Sequence, residues 1–347
     1  MTFITQGKSN VWIQRIKNPL RLWNYIGLKL SYIFKWKKIP FYPLYIDVEP
    51  NNNCNFRCQH CQVTYWSKER IHLDKNSFSR ILDQFPYLEK VKLQGMGEPL
   101  LNKQFISMLE LGEKHGLSMN FISNGSLCNQ KIAEQLAQLN NTSITFSIDG
   151  ATAETFESIR IGGKFEEIRK NIQNLNRIRS GKKQPMLSVY AVVTNKNIHE
   201  VSQIVKLASD LGVDCITLQP FLSDWGKKEM KEYNNSIKAN LNSKQLTSTL
   251  AEAKEVAREN EIDFDINRGD FYSKQKKCPW AWKSTYISSD GDVVPCCILA
   301  DSDTVKMGNV FEEDFAKIWN SEKYQDFRER IRTHNLPKYC ENCYLKE

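Results

Sequence analysis

The sequence predicts an α/β protein built round a parallel sheet, with a smaller unit at its C-terminal end. Strand-like runs (44–50, 90–95, 118–123, 143–148, 186–193 and 214–219) alternate with helix-like runs (76–85, 103–115, 130–139, 153–159 with 164–180, and 199–211). The repeat is about thirty residues, the length that a crossover between parallel neighbours takes. The ten cysteines fall in groups at metal-ligand spacings, not as a disulfide framework. Six strand–helix units are too few to close an eight-stranded barrel, so the sheet is expected to stay open.

The chain of 347 residues is long enough for one large domain and a smaller one. Its 25% charged and 41% apolar residues are ordinary for a globular protein. No secretory signal is visible, and thiols at ligand spacings need a reducing setting, so a cytoplasmic location is expected. The net charge of +8 is confined to the start: eight bases and no acid precede Asp47, against 40 of each in the remainder. A charge held in one leader, with no accompanying motif, argues against nucleic-acid binding, including a DNA- or RNA-binding zinc protein.

Residues 1–43 form that leader. Residues 10–38 mix bases with Trp12, Ile13, Ile16, Trp23, Phe34, Trp36 and other apolar side chains, and predict one or two helices interrupted near Pro19. Arg21 and Lys29 prevent a run of 18 apolar residues, so the stretch does not span a membrane. Three readings stay open: an interfacial helix on an anionic membrane, a surface for an acidic peptide or carrier, or a helix packed on the main domain with its lysines in water.

The first strand, bounded by Pro43 and Pro50, leads into Cys54, Cys58 and Cys61. Three thiolates in eight residues are a soft, anionic ligand set suited to iron–sulfur clusters, zinc or copper(I). A closed site wants four ligands, so three local ones imply a distant fourth or an open position. A zinc loop completed by His60 is the plainer reading.

Cys-x3-Cys-x2-Cys after a first strand resembles the signature of the radical S-adenosylmethionine (radical SAM) enzymes. The resemblance implies an open, partial (β/α)6 barrel over residues 44–221. It also implies a 4Fe-4S cluster held by Cys54, Cys58 and Cys61, with S-adenosylmethionine (SAM) chelating the fourth iron and His60 beside the adenine. Reductive cleavage of SAM then yields a 5′-deoxyadenosyl radical that takes a hydrogen atom from the substrate, with flavodoxin or ferredoxin as the expected reductant. Gly95-Met96-Gly97-Glu98-Pro99 resembles the family turn that binds the SAM amino group, through Gly97, Glu98 and Pro99. Ser123-Asn124-Gly125 resembles the turn that contacts the SAM ribose or methionyl part. Ser147 and Asp149 are expected to face the cavity, and Arg160 to pair with the SAM carboxylate or an anionic substrate. Taken alone, each of these is also a plain turn or a surface helix residue.

Residues 222–262 read as a polar linker with a helix over 246–260. Residues 263–347 carry the second cysteine group. Asp290-Gly291 is a hairpin signal between Ser284–Ile287 and Val293–Val294, which would fold Cys278 and Cys296 together. A helix is expected from Glu312 to Thr333, and Cys340 and Cys343 follow it. Cys278-x12-Gly291-x4-Cys296 with a later Cys-x2-Cys resembles the twitch domain, a shortened SPASM domain. That implies an auxiliary 4Fe-4S cluster on Cys278, Cys296, Cys340 and Cys343; structural zinc is the rival. The chain ends soon after Cys343, which speaks against a second auxiliary cluster. Cys297 is expected to be buried, and Cys128 and Cys215 to be core residues.

The implied activity is oxidation or another modification of a peptide, or of a small sugar-like or natural-product metabolite, by an oxidoreductase-like enzyme. Dehydrogenase, peptide maturase and Cα epimerase are the candidates, the last needing a hydrogen donor such as Cys297 or Cys215. The reading from another class is a non-catalytic zinc scaffold docked through its basic leader.

Overall fold

The computed structural model describes residue 15 and residues 18–222, 228–240, 244–267 and 278–340. Cys343 and the leader residues Trp12, Ile13 and Ile16 lie outside these.

Helix α1 (Pro19–Ile33) opens the described chain. Asn18 caps it by accepting from the Leu20 and Arg21 amides, and Pro19 fills the first turn, where a missing N–H costs nothing. The barrel then alternates β1 (Tyr45–Val48), α2 (Lys75–Asp83), β2 (Lys90–Leu93), α3 (Phe105–Lys114), β3 (Ser118–Ser123), α4 (Gln130–Leu136) and β4 (Thr142–Ser147). It continues with α5 (Ala153–Ile159), α6 (Phe165–Arg179), β5 (Met186–Val192), α7 (Val201–Asp210) and β6 (Cys215–Gln219). All six expected strands are present, and all pair in parallel in chain order.

Two helices follow, α8 (Lys228–Ile237) and α9 (Lys244–Glu259), and then β7 (Asp263–Ile266). β7 pairs in parallel with β6, Ile216 opposite Phe264. The expected linker is therefore largely part of the barrel, and residues 263–266 belong to its sheet instead of opening the auxiliary unit. The cause is apolar spacing within a polar stretch: Leu246, Ala253 and Ala257 are buried on α9, and Ile262 continues that face into the strand.

Sequential parallel order has a consequence. Right-handed crossovers place every helix on the same face, so the sheet curls with its helices outside. Ile46, Val48, Val91, Leu93, Ile144, Phe146, Leu187, Val189, Ile216 and Leu218 join the main core on that outer face. Their alternates point to the concave face. There the side chains are largely polar: Asp47, Lys90, Lys92, Asn120, Thr145, Ser147, Ser188, Tyr190, Thr217 and Gln219. A barrel meant only to be filled would carry branched apolar residues here.

The auxiliary unit holds α10 (Trp280–Lys283), β8 (Tyr286–Ile287), β9 (Asp292–Val294), β10 (Gly308–Asn309), α11 (Phe315–Trp319) and α12 (Glu322–Arg332). The expected hairpin is β8–β9, antiparallel with Tyr286 opposite Val294, and Gly291 takes φ +88° at its turn. β8 also pairs in parallel with β1, so the unit prolongs the barrel sheet at its first edge. The single helix expected over 312–333 is two, because Asn320 ends one and Ser321 caps the next at the Tyr324 amide. Arg328, fully buried, ties the unit to the leader by donating to the Ala281 and Lys37 carbonyls at 2.8 Å each.

Candidate active site at the mouth of the barrel

The loop carrying Cys54, Cys58 and Cys61 leaves the C-terminal end of β1 and is clamped from three sides. The turn after β2 approaches first. Glu98 N donates to the Asn53 carbonyl at 2.8 Å, and Asn51 Nδ2 donates to the Glu98 carbonyl at 2.9 Å. A Cβ on Gly97 would lie 2.5 Å from the Asn51 and Asn53 carbonyl oxygens, so only glycine permits this approach. The turn after β3 is the second clamp: Asn124 Nδ2 donates to Asn55 Oδ1 at 2.9 Å, and Asn55 Nδ2 donates to Ser126 Oγ at 2.9 Å. The segment after α5 is the third: Arg57 N donates to the Ile161 carbonyl at 2.9 Å, and Gly162, at φ +97°, packs on Asn55 and Phe56.

Cys58 is buried and Cys54 and Cys61 are half-buried, none of them in a disulfide. Burial pushes the Cys54 and Cys58 thiols up to about 11, and raises Cys61 as well. Each thiol also raises a neighbour, so the three share one electrostatic environment. Among the described residues, no three His, Cys, Asp or Glu side chains converge closely enough for a single metal ion. Three thiols on one loop are a donor set that fits three corners of a 4Fe-4S cluster. His60 lies on the same loop, its Nε2 3.7 Å from Asp149 Oδ2. Burial lowers His60 to about 4, so it is neutral near pH 7.

Glu98 is buried and braces the site. Its Oε1 accepts from Ser123 Oγ at 2.8 Å and from Leu100 N at 3.2 Å, and its Oε2 accepts from Asn124 N at 2.7 Å. Oε2 retains room for one more donor, such as an ammonium. Burial pushes Glu98 up to about 7 against the opposing Asn124 amide and Ser123 hydroxyl. The folded chain thus holds this proton more tightly than the unfolded one, and stability falls as pH rises from the ordinary carboxyl value, 4.5, through about 7. Glu98→Gln is expected to remove a pH-dependent loss on the order of 3 kcal/mol between about pH 5 and pH 8. Urea unfolding of both proteins at the two pH values checks this; parallel pH dependences would refute it.

Asp149, fully buried after β4, organises the far wall. Its Oδ2 accepts from Arg160 Nε at 2.6 Å, its Oδ1 accepts from Val192 N at 2.8 Å, and its carbonyl accepts from Asn197 Nδ2 at 2.8 Å. Burial disfavours the Arg160 charge, yet Asp149 and the Cys58 and Cys61 thiols reverse this and raise its pKa. Arg160 therefore stays cationic between a carboxylate and the cysteine loop. Ser147 is buried one turn of the pleat below.

Four residues escape the motifs: Asp47, Glu49, Lys90 and Lys92. Asp47 on β1 is fully buried, and neither carboxylate oxygen has a hydrogen-bond partner. Burial raises its pKa; Lys92, Tyr45 and Cys297 favour the charge without closing a hydrogen bond. Lys92 stands in register with Asp47 on β2. Burial lowers Lys90, next along that face, to about 8. The Cys297 thiol lies by Asp47 and is raised by burial, well above the ordinary thiol value. Glu49, one pleat on from Asp47, accepts from Met96 N, the Tyr286 hydroxyl and Ser289, so it fastens the auxiliary hairpin to the turn after β2. The period-two pattern in β1 and β2 was the available signal, hidden because the runs are so short.

In the auxiliary unit, Cys278 and Cys296 pack in one small apolar cluster with Trp280, Tyr286 and Val294, and Tyr339, next to Cys340, packs against it. Cys297 touches the same cluster and is half-buried. Cys128 is a core residue; Cys215 is buried at the start of β6, far along the strand from the mouth.

Comparison with known proteins agrees with this architecture. A radical SAM superfamily model matches residues 48–208, and a SPASM model, an iron–sulfur cluster-binding domain, matches residues 278–344. The tungsten-containing aldehyde ferredoxin oxidoreductase cofactor-modifying protein of Pyrococcus furiosus is 26% identical, over 87% of this chain and 88% of its own. The AdoMet-dependent heme synthase of Methanosarcina barkeri is 25% identical, over 88% of this chain and 89% of its own. Among solved structures, Streptococcus suis SuiB bound to S-adenosylmethionine aligns with a TM-score of 0.68 at 18% identity, over 93% of this chain and 78% of that one. SuiB bound to its precursor peptide SuiA aligns with a TM-score of 0.65 at 18% identity, over 82% of this chain and 66% of that one. The chain belongs to the radical SAM superfamily and carries a C-terminal SPASM iron–sulfur domain.

Proposed function

We propose that this chain binds a 4Fe-4S cluster through Cys54, Cys58 and Cys61, binds SAM beside it, and modifies a peptide or a cofactor precursor. The observation that carries the reading is the cysteine loop, clamped by the turns after β2 and β3 and the segment after α5 at the mouth of a polar-lined barrel. Once bound, cluster and SAM supply a 5′-deoxyadenosyl radical that removes a substrate hydrogen atom. The protein's own part is positional. Gly97 lets the turn reach the loop, Glu98 offers Oε2 to an ammonium, and Asp149 holds Arg160 for a carboxylate. Pro99 starts the short helical turn behind Glu98, while Ser123 and Asn124 support the carboxylate more than they face the mouth. The auxiliary cluster would sit on Cys278, Cys296, Cys340 and Cys343, with a flavodoxin or ferredoxin as reductant.

The relatives named for modifying a cofactor and making heme, and the likeness to peptide-bound SuiB, support the substrate class. Formation of 5′-deoxyadenosine from SAM by the anaerobically reconstituted, reduced protein tests the reading; iron-loaded protein that leaves SAM intact would refute it. Asp47 and Lys92 are then the substrate-side residues, offering an acceptor and a donor on adjacent strands. Asp47→Asn is expected to lower product formation at least tenfold while 5′-deoxyadenosine still forms. Equal loss of both would mean that Asp47 serves the fold or SAM, not the substrate.

A second reading, epimerisation, is favoured by the Cys297 thiol beside Asp47. It predicts one solvent deuterium in the product, lost in Cys297→Ala. A product lighter by two hydrogens, unchanged by that substitution, selects oxidation instead.

A further inference from the structure

The described residues include eight large apolar side chains that are exposed, and seven of them fall between Leu20 and Trp36. Leu20, Trp23, Ile26, Leu30 and Ile33 recur at three- to four-residue spacing along α1, a single stripe. Leu20, Trp23, Ile33 and Phe34 are each more than 60% exposed, at 63, 65, 62 and 65%. Isolated exposed apolar residues need no explanation, but a contiguous stripe marks a surface that meets something else.

The opposite face of α1 is firmly seated. Asn24 exchanges two hydrogen bonds with the Tyr42 backbone, at 2.9 and 2.8 Å. Gly27 lies so close to the Phe41 ring that a Cβ would meet it at 2.2 Å. The Trp282 indole donates to the Trp36 carbonyl at 2.9 Å. The helix therefore cannot turn its stripe inward without dismantling these contacts. The stripe is a rigid, permanent feature of the surface.

Charge identifies what it fits. No acidic residue precedes Asp47. Lys29, Lys37 and Lys38 are exposed beside the stripe. Exposed tryptophan and phenylalanine flanked by lysine is the composition of a helix lying in the headgroup region of an anionic bilayer. A protein groove would have to match bare apolar surface and a mainly cationic rim at once; of the rim lysines, Lys37 also meets Glu329 at 3.3 Å. No helix among the described residues is long and apolar enough to cross a membrane, so contact would be in plane.

We propose that α1 and the turn to Trp36 dock this protein on an anionic lipid surface. The fold also fixes the orientation. Arg15 pairs with Glu89 at 2.6 Å, and Arg21 shares a crevice with Pro86, Leu88 and Leu117. These residues lead into β2 and β3, so α1 lies at the N-terminal ends of the strands. The cysteine loop lies at the C-terminal ends. A docked protein thus presents its mouth to water, away from the bilayer.

The test is sedimentation of the full chain with vesicles of phosphatidylcholine alone and of phosphatidylcholine with phosphatidylglycerol. Wild type is expected to bind the anionic vesicles at least tenfold more tightly than the neutral ones, with binding weakened by salt. Trp23→Ser with Phe34→Ser is expected to abolish binding while moving thermal unfolding only slightly, since both side chains are mostly exposed and Trp23 meets Phe41 only edge-on. Lys29→Gln with Lys38→Gln is expected to weaken it severalfold. No binding to anionic vesicles, or equal binding by the Ser variant, overturns the proposal. So does a concentration-dependent dimer that the Ser variant abolishes, or capture of poly-glutamate as tight as that of vesicles: the stripe would then be a protein interface. Because the readout needs no metal, SAM or turnover, its failure leaves the proposed activity untouched.

Discussion

Replacing Cys54, Cys58 and Cys61 together by alanine should abolish SAM cleavage and lower bound iron by about four per chain, while leaving the fold intact. The asymmetry follows from how the loop is held. Its shape rests on contacts that do not involve sulfur: Glu98 N to the Asn53 carbonyl, Asn124 to Asn55, and Arg57 N to the Ile161 carbonyl. The thiols add their packing and the weak bonds that Cys54 Sγ accepts from Phe56 N at 3.4 Å and Asn124 Nδ2 at 4.0 Å, so each substitution costs about 1 kcal/mol. Circular dichroism and the unfolding midpoint of the apoprotein should therefore move only slightly. Iron near the wild-type level in the triple variant would show that the cysteines bind no cluster.

Asp149→Ala should be the most destabilising single change in the site, by about 3–5 kcal/mol. It would strand the Arg160 guanidinium, 2.6 Å from its partner now, in a buried setting with no other carboxylate bonded to it. It would also free the Val192 amide, which now donates to Asp149 Oδ1. Adding Arg160→Met should return a good part of that loss, because a buried pair is often worth less than its broken half costs. Urea unfolding of the two single variants and the double variant measures the coupling. Additive losses would mean that the Asp149 carboxylate acts through Val192 N, not through Arg160.

The barrel was legible because its helices carry wide apolar faces and its parallel strands are short apolar runs between turn residues. The seventh strand was not. Asp263–Ile266 alternates acid with apolar residues, and only its pairing with β6, Ile216 opposite Phe264, makes it a strand. Nor does sequence show that the auxiliary hairpin joins the barrel through β1. That pairing brings together residues some 240 positions apart, such as Asp47 and Tyr286, and its ladder is made by backbone groups that carry no sequence signal. The cysteine spacings and the turns around Glu98, Asn124 and Asp149 stood out as motifs. Their mutual bracing did not: Glu98 reads as a ligand-facing carboxylate, yet three of its bonds are internal. Asp47 and Lys92 were overlooked because a charged residue in a four-residue strand looks like a solvated edge until the sheet curls round it.

Electron paramagnetic resonance of the anaerobically reconstituted, reduced protein, with iron and acid-labile sulfide quantified on the same sample, is the decisive measurement. About eight irons per chain are expected, with a cluster signal that changes when SAM is added, because the site at Cys54, Cys58 and Cys61 leaves one iron open to it. Zinc in place of iron, or a cluster signal indifferent to SAM, would contradict the assignment and leave the protein a metal-bound scaffold.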